Sequence, residues 1–419
     1  MTDWTMGALE YKGVPLWEKL DASQLAARGW RVAHGEASTP VATLAVSALH
    51  ANAAAMRAFC DAHQVSLAPH AKTTLSTGLL DLQVKHGAWA MTAALPRQVA
   101  LLWSHGIQNV LLANEVSDVD AVSWLVGQLA QDADKELWLY ADSVRGVDLL
   151  RQGRLRARGD RGLNVLVELG HAGGRTGCRT IGEALEVARH VVDADGLRLA
   201  GVAGYEGTLG STRDPDVVDA VDKFASTLRE LASSIIEQGW LDPQGAIVTA
   251  GGSLFFDRIA HQLSGWCASV GARMVLRSGC YLIHDHGLYA AGTPANAGVA
   301  DAPTLRPALS VWARVVSHPE PGLSLVDAGR RDVSHDAGLP VPLTRHRGDD
   351  VIDLAAAGAT VSGLSDQHAF VSHPAELDIV EGDVIRLGIS HPCTTLDRWR
   401  SVLLVDDENR VTGAVRTSF

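Results

Sequence analysis

The sequence predicts an α/β protein built from a (β/α)8 barrel of the TIM type and a second, mostly β domain formed by both chain ends. Eight short apolar runs alternate with helix-like segments between about residue 65 and residue 276. After about residue 300 the pattern changes to short apolar runs punctuated by prolines and turn residues. A chain of 419 residues that is 47% apolar and 20% charged can bury a large core, so both parts are expected to be globular.

The barrel strands are predicted from runs that are short enough to be buried in a parallel sheet. The eight runs are residues 65–68, 88–92, 110–113, 137–140, 165–169, 199–203, 247–249 and 274–276. Helix-compatible segments lie at 98–104, 118–131, 181–192, 216–237 and 255–269, and Asp214-Pro215 supplies an N-cap and a first-turn proline for one of them. An open, doubly wound sheet is the alternative, although no glycine-rich dinucleotide fingerprint follows the first run.

The second domain is predicted to combine both ends of the chain. Residues 1–40 form an N-terminal arm without clear periodicity, and residues 41–46 are a candidate strand. Ser47 is a candidate N-cap for a helix that runs to about His63. Further strands are expected at 309–316, 323–326, 384–387 and 402–405. The predicted boundaries are therefore 47–300 for the barrel, and 1–46 with 301–419 for the β domain.

Charge and apolar patterning limit the partners. A net charge of −12 argues against nucleic acid and anionic membranes, whose phosphates would be repelled. No run reaches the roughly 18 apolar residues of a membrane span, and the N-terminus lacks a basic-then-apolar signal pattern, so a cytoplasmic protein is expected. The five cysteines are scattered without a Cys-x-x-Cys pair. A disulfide framework is therefore not expected, and any special cysteine should be a ligand or a nucleophile.

Lys72 is the first candidate catalytic residue. The chain has six lysines, and Lys72 alone directly follows one of the apolar runs. In barrels the C-terminal ends of the strands face the active site, so a rigid element would deliver this amine to a pocket. A solvated lysine on a loop is the alternative interpretation.

Four later runs also end in polar groups that suit a cofactor site. Gly251-Gly252-Ser253 follows the seventh run and Arg277-Ser278-Gly279-Cys280-Tyr281 follows the eighth, where barrels commonly hold phosphate. An ordinary strand-to-helix turn is the alternative for the glycine pair. The fifth and sixth runs end near Arg175 and Tyr205. A lysine, an arginine, a tyrosine and a phosphate site around one barrel mouth describe a pocket for pyridoxal phosphate.

His391 and Cys393 are the candidate metal ligands. On an extended backbone this spacing places both side chains on one face, and nitrogen and sulfur donors together suit Zn²⁺. Two ligands do not complete a tetrahedron, so water or substrate could occupy the other positions. An unliganded pair is the alternative. The polar cluster Ser365-Asp366-Gln367-His368 is expected to lie near the same pocket.

Taken in order, these motifs resemble the D-serine dehydratase and D-threonine aldolase family of fold-type III pyridoxal-phosphate enzymes, which is related to the alanine racemases. The resemblance runs from about Pro40 to Val411. The motifs that carry it are Pro69-His70-Ala71-Lys72-Thr73, Gly173-Gly174-Arg175-Thr176-Gly177, Gly204-Tyr205-Glu206-Gly207, Gly251-Gly252-Ser253, Gly279-Cys280-Tyr281, Ser365-Asp366-Gln367-His368 and His391-Pro392-Cys393. It implies a barrel with a β domain, and a homodimer with active sites near the subunit interface.

The resemblance also implies a role for each site residue. Lys72 is the Schiff-base lysine and Arg175 contacts the cofactor ring. Tyr205 packs beside the cofactor near the substrate carbon and is, with Lys72, a catalytic residue that could act as a second base. The phosphate cup would be formed by Gly251, Gly252, Ser253, Gly279, Cys280 and Tyr281. His391 and Cys393 match the metal pair.

The implied activity is that of a pyridoxal-phosphate- and zinc-dependent lyase, with Zn²⁺ or another divalent cation. It would convert a D-β-hydroxy amino acid such as D-serine or D-threonine to a 2-keto acid and ammonia by β-elimination. The His-x-Cys pair favours the D-serine dehydratase (deaminase)-like branch, because the family's aldolases carry His-x-Asp. The alternatives are retro-aldol cleavage to glycine and an aldehyde, an amino-acid racemase, and a non-catalytic protein that binds pyridoxal phosphate.

Three positions depart from the family pattern and leave the substrate open. Thr74 and Leu75 stand where a histidine or serine and then a second lysine are expected. Glu206 follows Tyr205 where aldolase-like members carry histidine.

Overall fold

The computed structural model describes residues 5–7 and 10–419, so residues 1–4 and 8–9 of the predicted N-terminal arm lie outside the described residues. All eight apolar runs are strands: Ser66–Leu67, Met91–Ala93, Asn109–Glu115, Glu136–Ala141, Leu163–Leu169, Leu197–Gly204, Ile247–Ala250 and Arg273–Leu276. They pair in parallel, in chain order, and the eighth lies beside the first. The N–H of Trp89 donates to the carbonyl of Leu67 at 2.8 Å, which joins the second strand to the first. The predicted barrel is therefore confirmed.

Helices alternate with the barrel strands. The predicted segments correspond to Pro96–Ser104, Val119–Gln131, Ile181–Asp193, Pro215–Glu237 and Phe256–Val270. Two further helices, Thr77–Lys85 and Val144–Arg156, complete the alternation. Asp118 caps its helix by accepting the N–H groups of Asp120 and Ala121. Asp214 occupies the N-cap position and Pro215 the first turn, as predicted.

The prediction of Ser47 as an N-cap is wrong. The strand Val41–Ala45 leads directly into the helix Val46–Ala62, so Ala45 occupies the N-cap position and Ser47 lies inside the first turn. The Ser47 hydroxyl instead donates to Asp407 Oδ1 at 2.5 Å. This bond ties the start of the helix to a turn near the other end of the chain.

The barrel interior is a packed core. Small residues such as Ala68 and Ala200 lie in one cluster with Trp138, Tyr140 and Leu166. The inner faces of the helices form a larger cluster that continues into the β domain. Because the barrel is filled, a cavity can form only beyond the ends of its strands.

The antiparallel β part has strands Leu309–Glu320, Leu323–Val326, Val341–Arg347, Asp350–Asp353, Thr360–Leu364, Ala369–Ser372, Val384–Gly388, Ser401–Val405 and Val411–Arg416. The early strand Val41–Ala45 pairs antiparallel with Leu309–Glu320 and parallel with Ser401–Val405. A strand from the N-terminal part thus lies inside a sheet made by the C-terminal part.

The connections contain the remaining short elements. Thr5–Gly7 pairs with Lys19–Asp21 in a small antiparallel sheet. The short helices are Leu25–Arg28, Leu288–Gly292 and Pro392–Leu396, and the single 3₁₀ turns are Ala22–Gln24, Val32–His34, Ala71–Thr73 and Cys280–Leu282. Among the described residues, every helix is too short or too polar to cross a membrane.

Candidate active site

A cavity of about 510 Å³ opens at the C-terminal ends of the barrel strands and is lined by both parts of the protein. This volume is in the range of small-molecule and cofactor sites. The predicted site residues that line it are Lys72, Arg175, Tyr205, Gly252, Ser253, Gly279, Cys280, His391 and Cys393. The structure therefore brings together residues that are far apart in sequence, with 321 positions between Lys72 and Cys393.

Lys72 enters the cavity from the 3₁₀ turn Ala71–Thr73, which follows the first barrel strand. The preceding residue, His70, also lines the cavity. Burial first, and then the charges of Lys72 and Arg277, lower the pKa of His70 well below its ordinary value. His70 is therefore a neutral imidazole near pH 7, able to donate one hydrogen bond and accept another.

Two arginines supply positive charge to the cavity. Arg175 lies in the loop after the fifth strand, with its guanidinium carbon 5.0 Å from the centroid of the Tyr205 ring. Arg277, which lies in the segment expected to hold phosphate but was given no role of its own, is 6% exposed at the end of the eighth strand. Its guanidinium donates to Thr249 Oγ1 at 2.7 Å and to the carbonyl of Gly204 at 2.6 Å. An arginine directly after a buried apolar strand is the sequence signal that could have identified it.

Tyr205 follows the sixth strand and packs between Arg175 and the glycine turn. Its Cε2 atom lies 2.9 Å from the position that a Cβ atom on Gly252 would occupy, so this contact requires glycine. Burial, then the charge of Glu206, raises the pKa of Tyr205 to about 12. The phenol therefore keeps its proton across the physiological pH range.

Glu206 occupies the turn that was predicted to bind phosphate. It is fully buried, and its carboxylate accepts the N–H of Gly251 at 3.1 Å and the N–H of Gly252 at 2.5 Å. Gly251 does not line the cavity. The expected contact between Gly251 and an anion is thus not supported, because the carboxylate already takes both glycine N–H groups.

Two other backbone N–H groups near the glycine pair remain available to bind an anion. Within the described residues, the backbone N–H groups of Ser253 and Gly279 have no hydrogen-bond partner. A Cβ atom on Gly279 would lie 2.7 Å from the His70 carbonyl oxygen, so only glycine fits there. The Ser253 hydroxyl accepts the N–H of Cys280 at 3.3 Å, which joins the two turns.

Tyr281 does not line the cavity, contrary to expectation. The single turn Cys280–Leu282 directs Cys280 to the cavity and places Tyr281, which is 2% exposed, in the hydrophobic core. Tyr289 lines the cavity instead. It belongs to the short helix Leu288–Gly292, which sequence patterning did not predict.

His391 and Cys393 reach the cavity from the β part of the protein. The backbone is extended at His391, which is the N-cap of the helix Pro392–Leu396, but not at Cys393, which lies in the first turn of that helix. His391 Nδ1 is 2.7 Å from Asp336 Oδ2, and Thr394 donates to the other carboxylate oxygen at 2.7 Å. This carboxylate orients the imidazole and leaves Nε2 as its free ligand atom.

Cys280 lies next to Cys393, with 3.4 Å between the two sulfur atoms. The hydrogen bond between these thiols lowers the pKa of Cys280 to about 6 and raises the pKa of Cys393 well above its ordinary value. Cys280 is thus the thiol of the pair that ionises first.

The Ser365–His368 segment is not part of the cavity lining. It is the hairpin turn between Thr360–Leu364 and Ala369–Ser372, where the N–H of Ser365 donates to the carbonyl of His368. The expectation that it lies near the pocket is not supported by this placement.

Comparison with known proteins agrees with this architecture. A family model described as a putative serine dehydratase domain matches residues 308–405. The chain is 25% identical to a D-threonine aldolase from an Arthrobacter species over 371 residues, covering 88% of this chain and 89% of the relative. It is 26% identical to the D-threo-3-hydroxyaspartate dehydratase of Delftia sp. (strain HT23) over 374 residues, covering 85% and 91%.

A solved structure extends the likeness to three dimensions. The D-threonine aldolase from Filomicrobium marinum matches with a TM-score of 0.77 and 26% identity, covering 93% of this chain and 97% of that chain. The fold, the cavity and these likenesses agree with one another. In sequence and in fold the chain is thus similar to D-threonine aldolase, and in sequence also to D-threo-3-hydroxyaspartate dehydratase, which supports the resemblance to the fold-type III pyridoxal-phosphate enzymes.

Proposed function

We propose that this protein is a pyridoxal-phosphate-dependent lyase that dehydrates and deaminates a D-β-hydroxy amino acid such as D-serine or D-threonine. The products would be a 2-keto acid and ammonia, and a divalent cation such as Zn²⁺ would be required. The observation that carries this proposal is the single cavity that holds Lys72, two arginines and the His391–Cys393 pair. The names of the two relatives, an aldolase and a dehydratase, support the lyase class.

The residues present fit pyridoxal phosphate. Lys72 offers the only lysine amine among those that line the cavity within the described residues. The free N–H groups of Ser253 and Gly279 suit a phosphate, and Arg175 and Arg277 balance its charge. When bound, the cofactor supplies an electron sink for negative charge that develops at the substrate α-carbon.

Lys72 would act as the base that removes the α-proton once the substrate has taken its place on the cofactor. Tyr205 would not act as a second base, because a phenol whose pKa is about 12 holds its proton near pH 7. Racemisation needs a base on each face of the α-carbon. The protonated state of the Tyr205 phenol therefore supports elimination over racemisation.

The residues also fit a divalent metal. His391 Nε2 and Cys393 Sγ would be the protein ligands, and Asp336 would hold the imidazole in its tautomer. A bound metal supplies Lewis acidity, which makes a β-hydroxyl group a better leaving group. Two solved variants of D-threo-3-hydroxyaspartate dehydratase support this pair. They replace a histidine and a cysteine two positions apart, and the cysteine variant is described as metal-free.

Retro-aldol cleavage is the second candidate, because the D-threonine aldolases are similar in sequence and structure. The two reactions give different products. Dehydration of D-threonine yields 2-ketobutyrate and ammonia, whereas cleavage yields glycine and acetaldehyde.

The decisive experiment incubates the protein with D-serine, D-threonine and their L-enantiomers, and measures ammonia, keto acid, glycine, aldehyde and enantiomer ratio. Ammonia and keto acid from the D-forms alone are expected. Glycine with aldehyde would establish the aldolase, and racemisation without ammonia would exclude a lyase.

A metal-dependence experiment accompanies it. Chelation should abolish turnover while the visible absorbance of the bound cofactor remains. Asp336→Asn should weaken metal binding by about 10- to 100-fold, the usual effect of losing a carboxylate that orients a histidine ligand. Full activity in metal-free protein would overturn the assigned role of His391 and Cys393.

A further inference from the structure

Three carboxylates converge at the ends of the third, fourth and fifth barrel strands. Glu115 ends the third strand, Asp142 follows the fourth, and Glu168 is the penultimate residue of the fifth. Their ligand oxygen atoms all lie within 4.8 Å of one another. Neighbouring parallel strands end at the same edge of a sheet, which explains why residues so far apart in sequence meet.

The negative charge of this cluster is uncompensated. Within residues 5–7 and 10–419, none of the three carboxylates forms an ion pair with lysine, arginine or histidine. Glu168 is 2% exposed, and its Oε2 atom has no hydrogen-bond partner. Both oxygens of Glu115 are buried and have no hydrogen-bond partner in the described chain. Buried carboxylates so close together require a proton or a cation.

A buried phenol near the cluster is also without a partner. Tyr140, two residues before Asp142, is 2% exposed, and its hydroxyl has no hydrogen-bond partner in the described chain. Burial, with Glu168 and Glu115 among the nearby charges, raises the pKa of this phenol. Unpartnered buried oxygen atoms are thus found on three adjacent strands, at Glu115, Tyr140 and Glu168, which points to a missing ligand.

We propose that Glu115, Asp142 and Glu168 bind a hard divalent cation of the Mg²⁺, Mn²⁺ or Ca²⁺ type, at a site separate from the His391–Cys393 pair. An all-oxygen donor set is the one these ions prefer, and it lacks the nitrogen and sulfur donors that select zinc. Opposite ligands of an ion with bonds of about 2.4 Å lie roughly 4.8 Å apart. The spacing of the three carboxylates therefore suits one ion.

The cation would hold the base of the loop that carries Arg175. Asp142 Oδ2 accepts the N–H of Gly177 at 3.0 Å, and the carbonyl of Asp142 accepts the Cys178 thiol at 3.2 Å. The carbonyl of Glu168 accepts the N–H of Cys178 at 2.8 Å. Two of the proposed ligands thus anchor the C-terminal side of this loop. An effect of the cation on cofactor binding through Arg175 rests on the proposed function, whereas the cation site itself does not.

Mn²⁺ is the probe, because it prefers oxygen ligands and its free form is measured directly by electron paramagnetic resonance. The full-length protein is first loaded with one equivalent of Zn²⁺ to occupy the His391–Cys393 pair, and Mn²⁺ is then titrated. One Mn²⁺ per chain is expected to bind. Glu168→Gln should weaken this binding at least tenfold. Glu186→Gln, an exposed position on the helix after the fifth strand, should bind Mn²⁺ like the wild type.

The effects of Mn²⁺ on the stability of the fold and on cofactor binding are measured separately. Mn²⁺ should raise the Tm of the wild type and of Glu186→Gln but not that of Glu168→Gln, whose circular dichroism should match the wild type. Mn²⁺ should also tighten pyridoxal phosphate binding to the wild type.

The proposed site is overturned if the wild type binds no Mn²⁺, or if Glu168→Gln binds Mn²⁺ as tightly as the wild type does. An infrared band of a protonated carboxyl group that is lost in Glu115→Gln would then identify a proton as the occupant. No step uses turnover, so a failed lyase assay would leave the result unaffected.

Discussion

The sulfur atoms of Cys280 and Cys393 lie 3.4 Å apart, although the residues are 113 positions apart in sequence. Cys280 belongs to the turn after the last barrel strand, and Cys393 to a helix that follows a strand of the β part. The contact therefore joins the two parts of the protein inside the cavity. Any reagent that changes either sulfur changes the shape of the candidate metal site.

Mild oxidation is expected to convert this pair to a disulfide. Bonded sulfurs lie about 2.05 Å apart, so an approach of roughly 1.4 Å is sufficient. A diazenedicarboxamide oxidant should abolish activity, dithiothreitol should restore it, and prior loading with Zn²⁺ should protect it. Mass spectrometry of unreduced peptides should show the Cys280–Cys393 link, since the other three cysteines are buried elsewhere. Loss of activity without this linked peptide would contradict the prediction.

Lys72 is expected to be the residue that binds the cofactor covalently. Borohydride reduction followed by peptide mapping should place the label on Lys72. Lys72→Ala should lower turnover by about 10²- to 10⁴-fold, the usual contribution of a positioned base. Lys85→Ala is the matched control, because this lysine ends the helix Thr77–Lys85 and does not line the cavity. Label on Lys85, or an active Lys72→Ala protein, would remove Lys72 from this role.

The sequence predicted the barrel well because each parallel strand is buried on both faces and reads as a continuous apolar run. The helix Val144–Arg156 was missed because it has only three buried residues, Val147, Leu150 and Gly153, and its arginines and glycines obscure the apolar pattern. Thr77–Lys85 was missed because only residues 74–76 separate it from the turn of Lys72, so the two elements read as one segment.

The candidate site was predicted only in part, for a different physical reason. Side chains at strand ends, such as Lys72, Arg175 and Tyr205, reach the cavity because the barrel fixes which edge they occupy. Whether Cys280 or Tyr281 faces the cavity depends on the rotation of a single helical turn, which no periodicity reveals. The partnership of Asp336 with His391 and the meeting of three carboxylates depend on long-range packing, which local patterns do not contain.

Asp285 is expected to make stability fall as the pH rises. It is fully buried, and its Oδ1 accepts the N–H groups of Gly287, Tyr289 and Ala290, which fixes the helix that carries Tyr289. Burial raises the pKa of Asp285 from 3.8 to about 7, so the folded protein holds this proton more tightly than the unfolded chain does. The stabilisation is complete below about pH 4 and is lost as the pH rises through about 7, at roughly 1.4 kcal/mol per pKa unit.

Asp285→Asn tests this dependence, because an amide keeps the acceptor oxygen and cannot ionise. Urea unfolding at about pH 5 and pH 8 should show a smaller loss of stability for Asp285→Asn than for the wild type. Asp366→Asn, in an exposed hairpin turn, should retain the wild-type dependence. An unchanged pH dependence in Asp285→Asn would show that another group is responsible.

The substrate side chain is expected to be neutral, because an acidic residue lines the cavity. Asp397 is an exposed residue of the cavity lining and pairs with Arg398 at 2.9 Å. A substrate with a second carboxylate, such as D-threo-3-hydroxyaspartate, would meet this like charge, whereas D-threonine would not.

At an exposed position such repulsion is screened to about 1 kcal/mol, or roughly fivefold in kcat/KM. Asp397→Asn should therefore raise kcat/KM for hydroxyaspartate relative to D-threonine by about that factor, and Asp366→Asn should leave the ratio unchanged. If hydroxyaspartate is already the better substrate of the wild type, or if the ratio is the same in Asp397→Asn, then Asp397 does not select the substrate.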